Sequence, residues 1–153
     1  MKTLARPADT DELHRRLAAV RPGTARRWGR MSAHQMVCHL SDCFRMALDA
    51  RPVSPLRGWP RGPLLKWVAL YLPLPWPHGI RTRPELDQVL CAGTSPAEFA
   101  ADVAELEGLL DRVAAAGEAF AWPAHPVFGR MSAADWLRWG YLHMDHHLRQ
   151  FGA

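Results

Sequence analysis

The sequence predicts an all-α fold, a four-helix bundle, and three observations carry that prediction. No stretch of useful length alternates apolar and polar residues as a half-buried strand would. Four segments instead repeat apolar residues every three or four positions, the period of a helix with one buried face. These segments are bounded by capping residues, glycine and proline. The chain has 153 residues, 48% hydrophobic and 22% charged, enough for one real core. Residues 1–153 are therefore read as a single domain.

The first helix is expected from a cap at Asp9 or Thr10 to about Val20. Leu13, Leu17 and Val20 form its stripe, and Arg21-Pro-Gly23 ends it. The second is expected from Ala33 to Leu48. Ser32 is a good N-cap, and Gln35 three residues later completes a capping box. Met36, His39, Leu40, Cys43, Met46 and Ala47 make a broad inward face.

Residues 51–95 break the pattern. They hold most of the 13 prolines: Pro52, Pro55, Pro60, Pro63, Pro73, Pro75, Pro77 and Pro84. Leu64–Leu72 can form a short apolar helix, which Pro73 and Pro75 stop by removing donors and crowding the preceding turn. A long irregular insertion of this apolar content reads as a crossover packed over one end of the bundle, roofing a functional site.

The third bundle helix is expected from Thr94 or Ser95, with Pro96 at its first position. It runs through Phe99, Val103, Leu106, Leu109, Leu110 and Val113 to about Ala116, where Gly117 stops it. Ser132 caps the fourth, which carries Trp136, Trp139, Leu142, His143, His147 and Gln150. Trp28-Gly-Arg-Met-Ser-Ala33 recurs as Phe128-Gly-Arg-Met-Ser-Ala133. Each copy offers an aromatic, a glycine turn and a serine cap before a histidine-bearing helix.

Composition narrows the function. Net charge is +4, almost all of it arginine, with Arg15, Arg16, Arg21, Arg26, Arg27 and Arg30 close together. Only Trp28 interleaves with them, so the aromatic–basic pattern of single-strand binding is missing and no nucleic-acid partner is expected. Cys38, Cys43 and Cys91, an odd number without disulfide-like spacing, suit a reducing cytoplasm. Cys38 reads as a small core residue. Neither a secretory leader nor an apolar run of roughly 20 residues is seen, so no membrane role is expected. Interfacial binding through Trp67, Tyr71 and Trp76 is a minor alternative.

The chemistry lies in His143 and His147. Residues four apart on a helix are neighbours, about 5–6 Å apart at Cβ, so two such imidazoles can share one divalent metal. His39 is the candidate third ligand, from the second helix. Three neutral imidazoles leave coordination positions open, the arrangement of a site that activates water or a thiol. Gln150 shares the stripe of His143 and His147 and can orient a ligand. Asp42, one turn past His39, is the favoured proton acceptor. His146 lies about 100° from His147 and reads as an outer or surface group. Asp145 pairs with Arg149, and His34 reads as a solvated histidine near a helix start. His78 and His125 belong to no helical constellation. The rival reading makes these histidines structural, in a bundle that binds a small ligand or dimerises.

These residues also resemble a known family. One histidine on the second helix, a long interruption and a final His-x-x-His-His-x-x-Gln helix resemble the DinB/YfiT-like superfamily of four-helix bundles. Trp28-Gly-Arg-Met-Ser-Ala-His-Gln-Met-Val-Cys-His39, His125-Pro-Val-Phe-Gly-Arg-Met-Ser132 and His143-Met-Asp-His-His-Leu-Arg-Gln-Phe-Gly152 resemble its branch called domain of unknown function 1569. The resemblance spans nearly the whole chain. It implies an up-down-down-up bundle with a divalent metal, usually nickel or zinc, on three histidines. By position these are His39, His143 and His147. Relatives resembling thiol-dependent S-transferases and metal-dependent hydrolases imply a small-molecule substrate, with a low-molecular-weight thiol as the second reactant. They also often pair as homodimers. Leu148 departs from the family pattern, since many relatives carry arginine there; in this chain the arginine is Arg149.

Overall fold

The structure is a computed structural model that describes residues 1–56, 63–80, 82–90 and 92–153. Among these it contains five α-helices and no strand: α1 (Pro7–Leu17), α2 (Ala33–Ala47), α3 (Pro63–Tyr71), α4 (Phe99–Ala115) and α5 (Ala133–Gln150). Helices α1, α2, α4 and α5 are the predicted four, and α3 is the short helix of the crossover. A single 3-10 turn, Pro84–Leu86, follows α3.

The direction of each helix follows from its polar pairings. Leu4 N–H donates to the Leu137 carbonyl, Tyr141 to Glu12, and Arg16 pairs with Asp145 at 2.7 Å. Positions therefore rise together along α1 and α5, which run in parallel. On α2 and α4, His34 meets Asp102 and Arg45 meets Glu105, again in the same order. The end of α5 lies beside the start of α2, where Arg27 N–H donates to the Gln150 carbonyl at 2.7 Å. The start of α5 lies beside the crossover, through Lys66 and Tyr71 on Asp135. So α2 and α4 oppose α1 and α5, and the bundle is up-down-down-up. Helices in the middle pair can share a direction only if a long connection returns the chain to the same end, which explains the insertion.

The core fills the space between the four helices. Leu13 and Leu17 of α1, Met36, Leu40 and Phe44 of α2, Leu106 and Leu110 of α4, and Trp136, Met144 and Leu148 of α5 are all fully buried. Val20 is buried as expected, although α1 already stops at Leu17.

Helix starts depart from the sequence expectation where a side chain finds a better partner. Pro7 sits in the first turn of α1, so the helix begins before Asp9. The Asp9 carboxylate instead accepts from Thr3 N–H at 3.1 Å and pairs with Lys2 at 3.0 Å. Helix α4 begins at Phe99 rather than near Pro96. Thr94 spends both its amide and its hydroxyl on Asp42, at 2.8 and 2.7 Å, so it is unavailable as a cap. Ala97 N–H donates to Asp102, and the Glu98 carboxylate takes the amides of Ala100 and Ala101.

The crossover packs on the bundle as expected. Lys66 and Tyr71 reach Asp135 at 2.5 and 2.7 Å, and Arg138 donates to the Leu70 carbonyl at 2.9 Å. Leu64 and Trp67 remain exposed, but Tyr71 is tied to α5 and the Trp76 indole N–H donates to Ala69. That inward turn removes two of the three interfacial anchors considered above. Among the described residues no helix is long and apolar enough to cross a membrane. Pro60 and Cys91 lie outside the described residues.

The repeated Gly-Arg-Met-Ser motif folds twice into the same device. Gly29 and Gly129 take φ of 80° and 70°, and Ser32 and Ser132 each cap the following helix within a full capping box. Ser32→Ala and Ser132→Ala should each cost about 1 kcal/mol of stability, and by similar amounts, in urea unfolding. A change below about 0.3 kcal/mol at either position would show that the cap is not what starts that helix.

Candidate metal centre

Where α2 crosses α5, three imidazoles meet. The ring centres of His39 and His143 lie 5.3 Å apart, those of His39 and His147 4.8 Å, and those of His143 and His147 4.9 Å. Helical spacing brings His143 and His147 together; the antiparallel packing of α2 on α5 brings His39 to them.

Two of the rings have a committed tautomer. His39 Nδ1 lies 2.9 Å from the Leu86 carbonyl. A carbonyl only accepts, so Nδ1 carries the hydrogen and Nε2 keeps its lone pair. His147 Nδ1 lies 3.0 Å from Gln150 Oε1, and the Gln150 amide is oriented by its own donation to the Trp28 carbonyl at 2.7 Å. His147 Nε2 is thus also an open acceptor. Ligating histidines are generally held in this way, with the remote nitrogen donating to an outer partner. His143 Nδ1 is buried and has no hydrogen-bond partner. An orphaned ring nitrogen beside two open lone pairs makes a candidate set of ligand atoms, and these donor types suit a divalent metal.

Electrostatics agree with that use. Burial pushes the pKa of all three rings down, well down for His143 and His147; repulsion from neighbouring rings adds to it at those two, while the Leu86 carbonyl, Asp42, Asp87 and Gln88 oppose it at His39. The rings therefore stay neutral, the form that ligates. His125, sealed in the turn before α5, is lowered by burial to about 3. Its Nδ1 accepts from the amides of Val127 and Phe128, so it pins a turn rather than joining the centre.

Cys43, which the helical pattern places simply on the inward face of α2, joins the cluster. Its Sγ lies 3.6 Å from His39 Nε2, and one ligand atom each from His39, Cys43 and His143 fall within 4.8 Å of one another. The signal was present in the sequence: Cys43 follows His39 by four, as His147 follows His143.

Asp42 and Gln150 take different places. Gln150 sits in the centre's outer layer, as described. Asp42 is fully buried and accepts from Arg45, Gln88, and both Thr94 groups, all within 2.8 Å, with Arg51 at 3.2 Å. Four hydrogen bonds and a second arginine thus surround its two oxygens. The acceptor expected from the sequence therefore lies beneath the crossover, which folds back onto its carboxylate. The result anchors Gln88 and Thr94 against α2, close to the Leu86 carbonyl that bonds His39.

His34 is not the solvated residue expected. It bonds Asp102 at 2.6 Å, and Cys38 Sγ lies 3.7 Å from the same carboxylate oxygen. Burial and Asp102 push the Cys38 thiol up to about 12. Arg149 pairs with Asp145 on the surface as expected. His146 and the crossover form an aromatic rim over the three rings. Trp76 stands 6.1 Å from both His143 and His146, and Trp28 stacks on His78 at 4.1 Å.

A family model described as the DinB superfamily matches residues 1–151. The chain belongs to the DinB superfamily. Comparison with curated proteins and with solved structures gave no match. Membership accounts for the all-α bundle of this DinB-superfamily chain. Its repeated glycine turns then take on distinct weights. A Cβ at Gly29 would collide with Gln150 Nε2, whereas one at Gly129 meets nothing. Both substitutions to alanine carry the left-handed backbone penalty of about 1–2 kcal/mol. Gly29→Ala should in addition push Gln150 off His147 and weaken divalent-metal binding by roughly 10–100-fold, while Gly129→Ala leaves binding unchanged. Equal metal affinities in the two variants would count against the Trp28–Gln150–His147 relay.

The lowered histidines also set an acid limit. A ring whose folded pKa lies below its unfolded value contributes its full stability above about pH 6.5 and loses it as pH falls. Each of His39, His125, His143 and His147 then costs up to about 1.4 kcal/mol per pH unit. Urea unfolding of chelator-treated protein should show stability dropping steeply from pH 7 to 5. A flat profile over that window would mean that these rings are not held neutral.

Proposed function

We propose that this chain is a metal-dependent enzyme whose divalent ion, zinc or nickel, is held by His39, His143 and His147. The reaction is hydrolysis of a small electrophilic substrate, or transfer of a low-molecular-weight thiol to it. The observation that carries this reading is the convergence of three neutral imidazoles, two of them already turned by outer partners to present a free nitrogen. A divalent ion bound there supplies Lewis acidity and lowers the pKa of a water or thiol nucleophile.

The chain's own residues do the rest. Leu86 and Gln150 hold two ligands in one tautomer. Trp76 and Trp28, with His78 and His146, cover the rings and limit water. The half-buried position of His143 leaves the approach for a small molecule. Asp42 acts by position, holding the segment that aims His39. We further assign the chain to the branch called domain of unknown function 1569, on its two Gly-Arg-Met-Ser motifs. The same reading expects a cytoplasmic enzyme, with free Cys38 and Cys43 in keeping, that pairs as a homodimer and engages neither nucleic acid nor membrane.

Untagged protein should purify with close to one divalent ion per chain by metal mass spectrometry, and His143→Ala should lose it while retaining its helical circular dichroism. Thiol consumption against a panel of electrophiles should then require the ion and disappear on chelation. Metal absent from both proteins, with equal stability, would overturn the proposal in favour of a non-catalytic helical bundle.

A further inference from the structure

We propose that Cys43 is a fourth ligand of the same ion, so that the centre binds through three imidazoles and one thiolate. This rests on the reading of His39, His143 and His147 as ligands and extends it.

The geometry is that of a shared ion. With metal–sulfur and metal–nitrogen bonds of about 2.3 and 2.0–2.1 Å, two ligands on a tetrahedral metal stand about 3.5 Å apart. Cys43 Sγ stands 3.6 Å from His39 Nε2. That nitrogen is the one left open, because Nδ1 is spent on Leu86. Sulfur and imidazole nitrogen thus lie together on adjacent turns of α2, while a ring nitrogen of His143 comes within the same 4.8 Å from α5. Sγ has no hydrogen-bonding partner among the described residues other than His39, and the side chain is buried.

Ligation would release the thiol proton to solvent as the metal–sulfur bond forms, so the charge balances. A nitrogen–sulfur donor set favours zinc, cobalt or nickel over magnesium, calcium or manganese. With four protein ligands a substrate or nucleophile would bind as a fifth ligand, an expansion that catalytic zinc sites allow.

Cobalt(II) titration of the metal-free protein tests this, because a thiolate ligand adds an intense near-ultraviolet charge-transfer band to the weaker visible bands. Wild type should develop both sets together and saturate at one equivalent. Cys43→Ala and Cys43→Ser should keep the visible bands, lose the charge-transfer band, and bind cobalt at least about tenfold more weakly. A Cys38→Ser/Cys91→Ser double variant, which leaves residue 43 untouched, should retain the band and settles the source even if the Cys43 variants fold poorly. Cobalt bound without the band, or a band lost with Cys38 or Cys91 instead, overturns the Cys43 assignment alone. No cobalt binding at all overturns the histidine reading beneath it as well.

Discussion

Three uncharged imidazoles are kept out of water at the point where the second helix crosses the last, and much of the architecture serves that constraint. Unprotonated rings crowded within about 5 Å of one another need burial, aim and partners for their remote nitrogens. Burial comes from the bundle core and from the aromatic rim. Aim comes from two carbonyl-type oxygens supplied by segments that are not themselves helical core: the Leu86 carbonyl in the crossover and the Gln150 amide braced by Trp28. The irregular parts of the chain therefore do the positioning, and the regular parts the holding.

Asp42 is the hinge between those two tasks. A buried carboxylate without partners would cost several kcal/mol, and one with five donors becomes a rigid node. It ties α2 to Gln88 and Thr94, delays the start of α4, and keeps the 3-10 turn next to His39. The insertion in the middle of the chain is thus a structural member of the candidate centre. The same segment covers the rings with Trp76, so access and orientation are controlled by one piece of backbone.

The duplicated Gly-Arg-Met-Ser turns show how one local solution acquires unequal roles. Both fold through a left-handed glycine into a serine cap, as elementary helix chemistry demands. Only the first touches the site, because the end of α5 lies against it and leaves no room for a side chain at Gly29. Local sequence decides the turn; the neighbour decides its importance.

Much of this was legible in the order of residues. Helical periodicity and serine caps determined an all-α bundle with α2 and α5 placed within a residue or so, and the spacing of His143 and His147 determined that two rings share a face. The second helix offered His39 as the third ring, and the resemblance of the histidine motifs pointed to the superfamily and to the same three rings. What the sequence could not decide was where polar side chains far apart in the chain would spend their hydrogen bonds. Asp42 reads as a free acid one turn from a ligand until Thr94, Gln88 and two arginines close on it. Thr94 reads as a helix cap until its hydroxyl is found elsewhere. His34 reads as solvated until Asp102 arrives from α4, and Cys43 as a core residue until its sulfur is seen facing His39 Nε2. Periodicity is a property of one helix and can be read along it. Partner choice is a competition between segments, and only tertiary packing decides it.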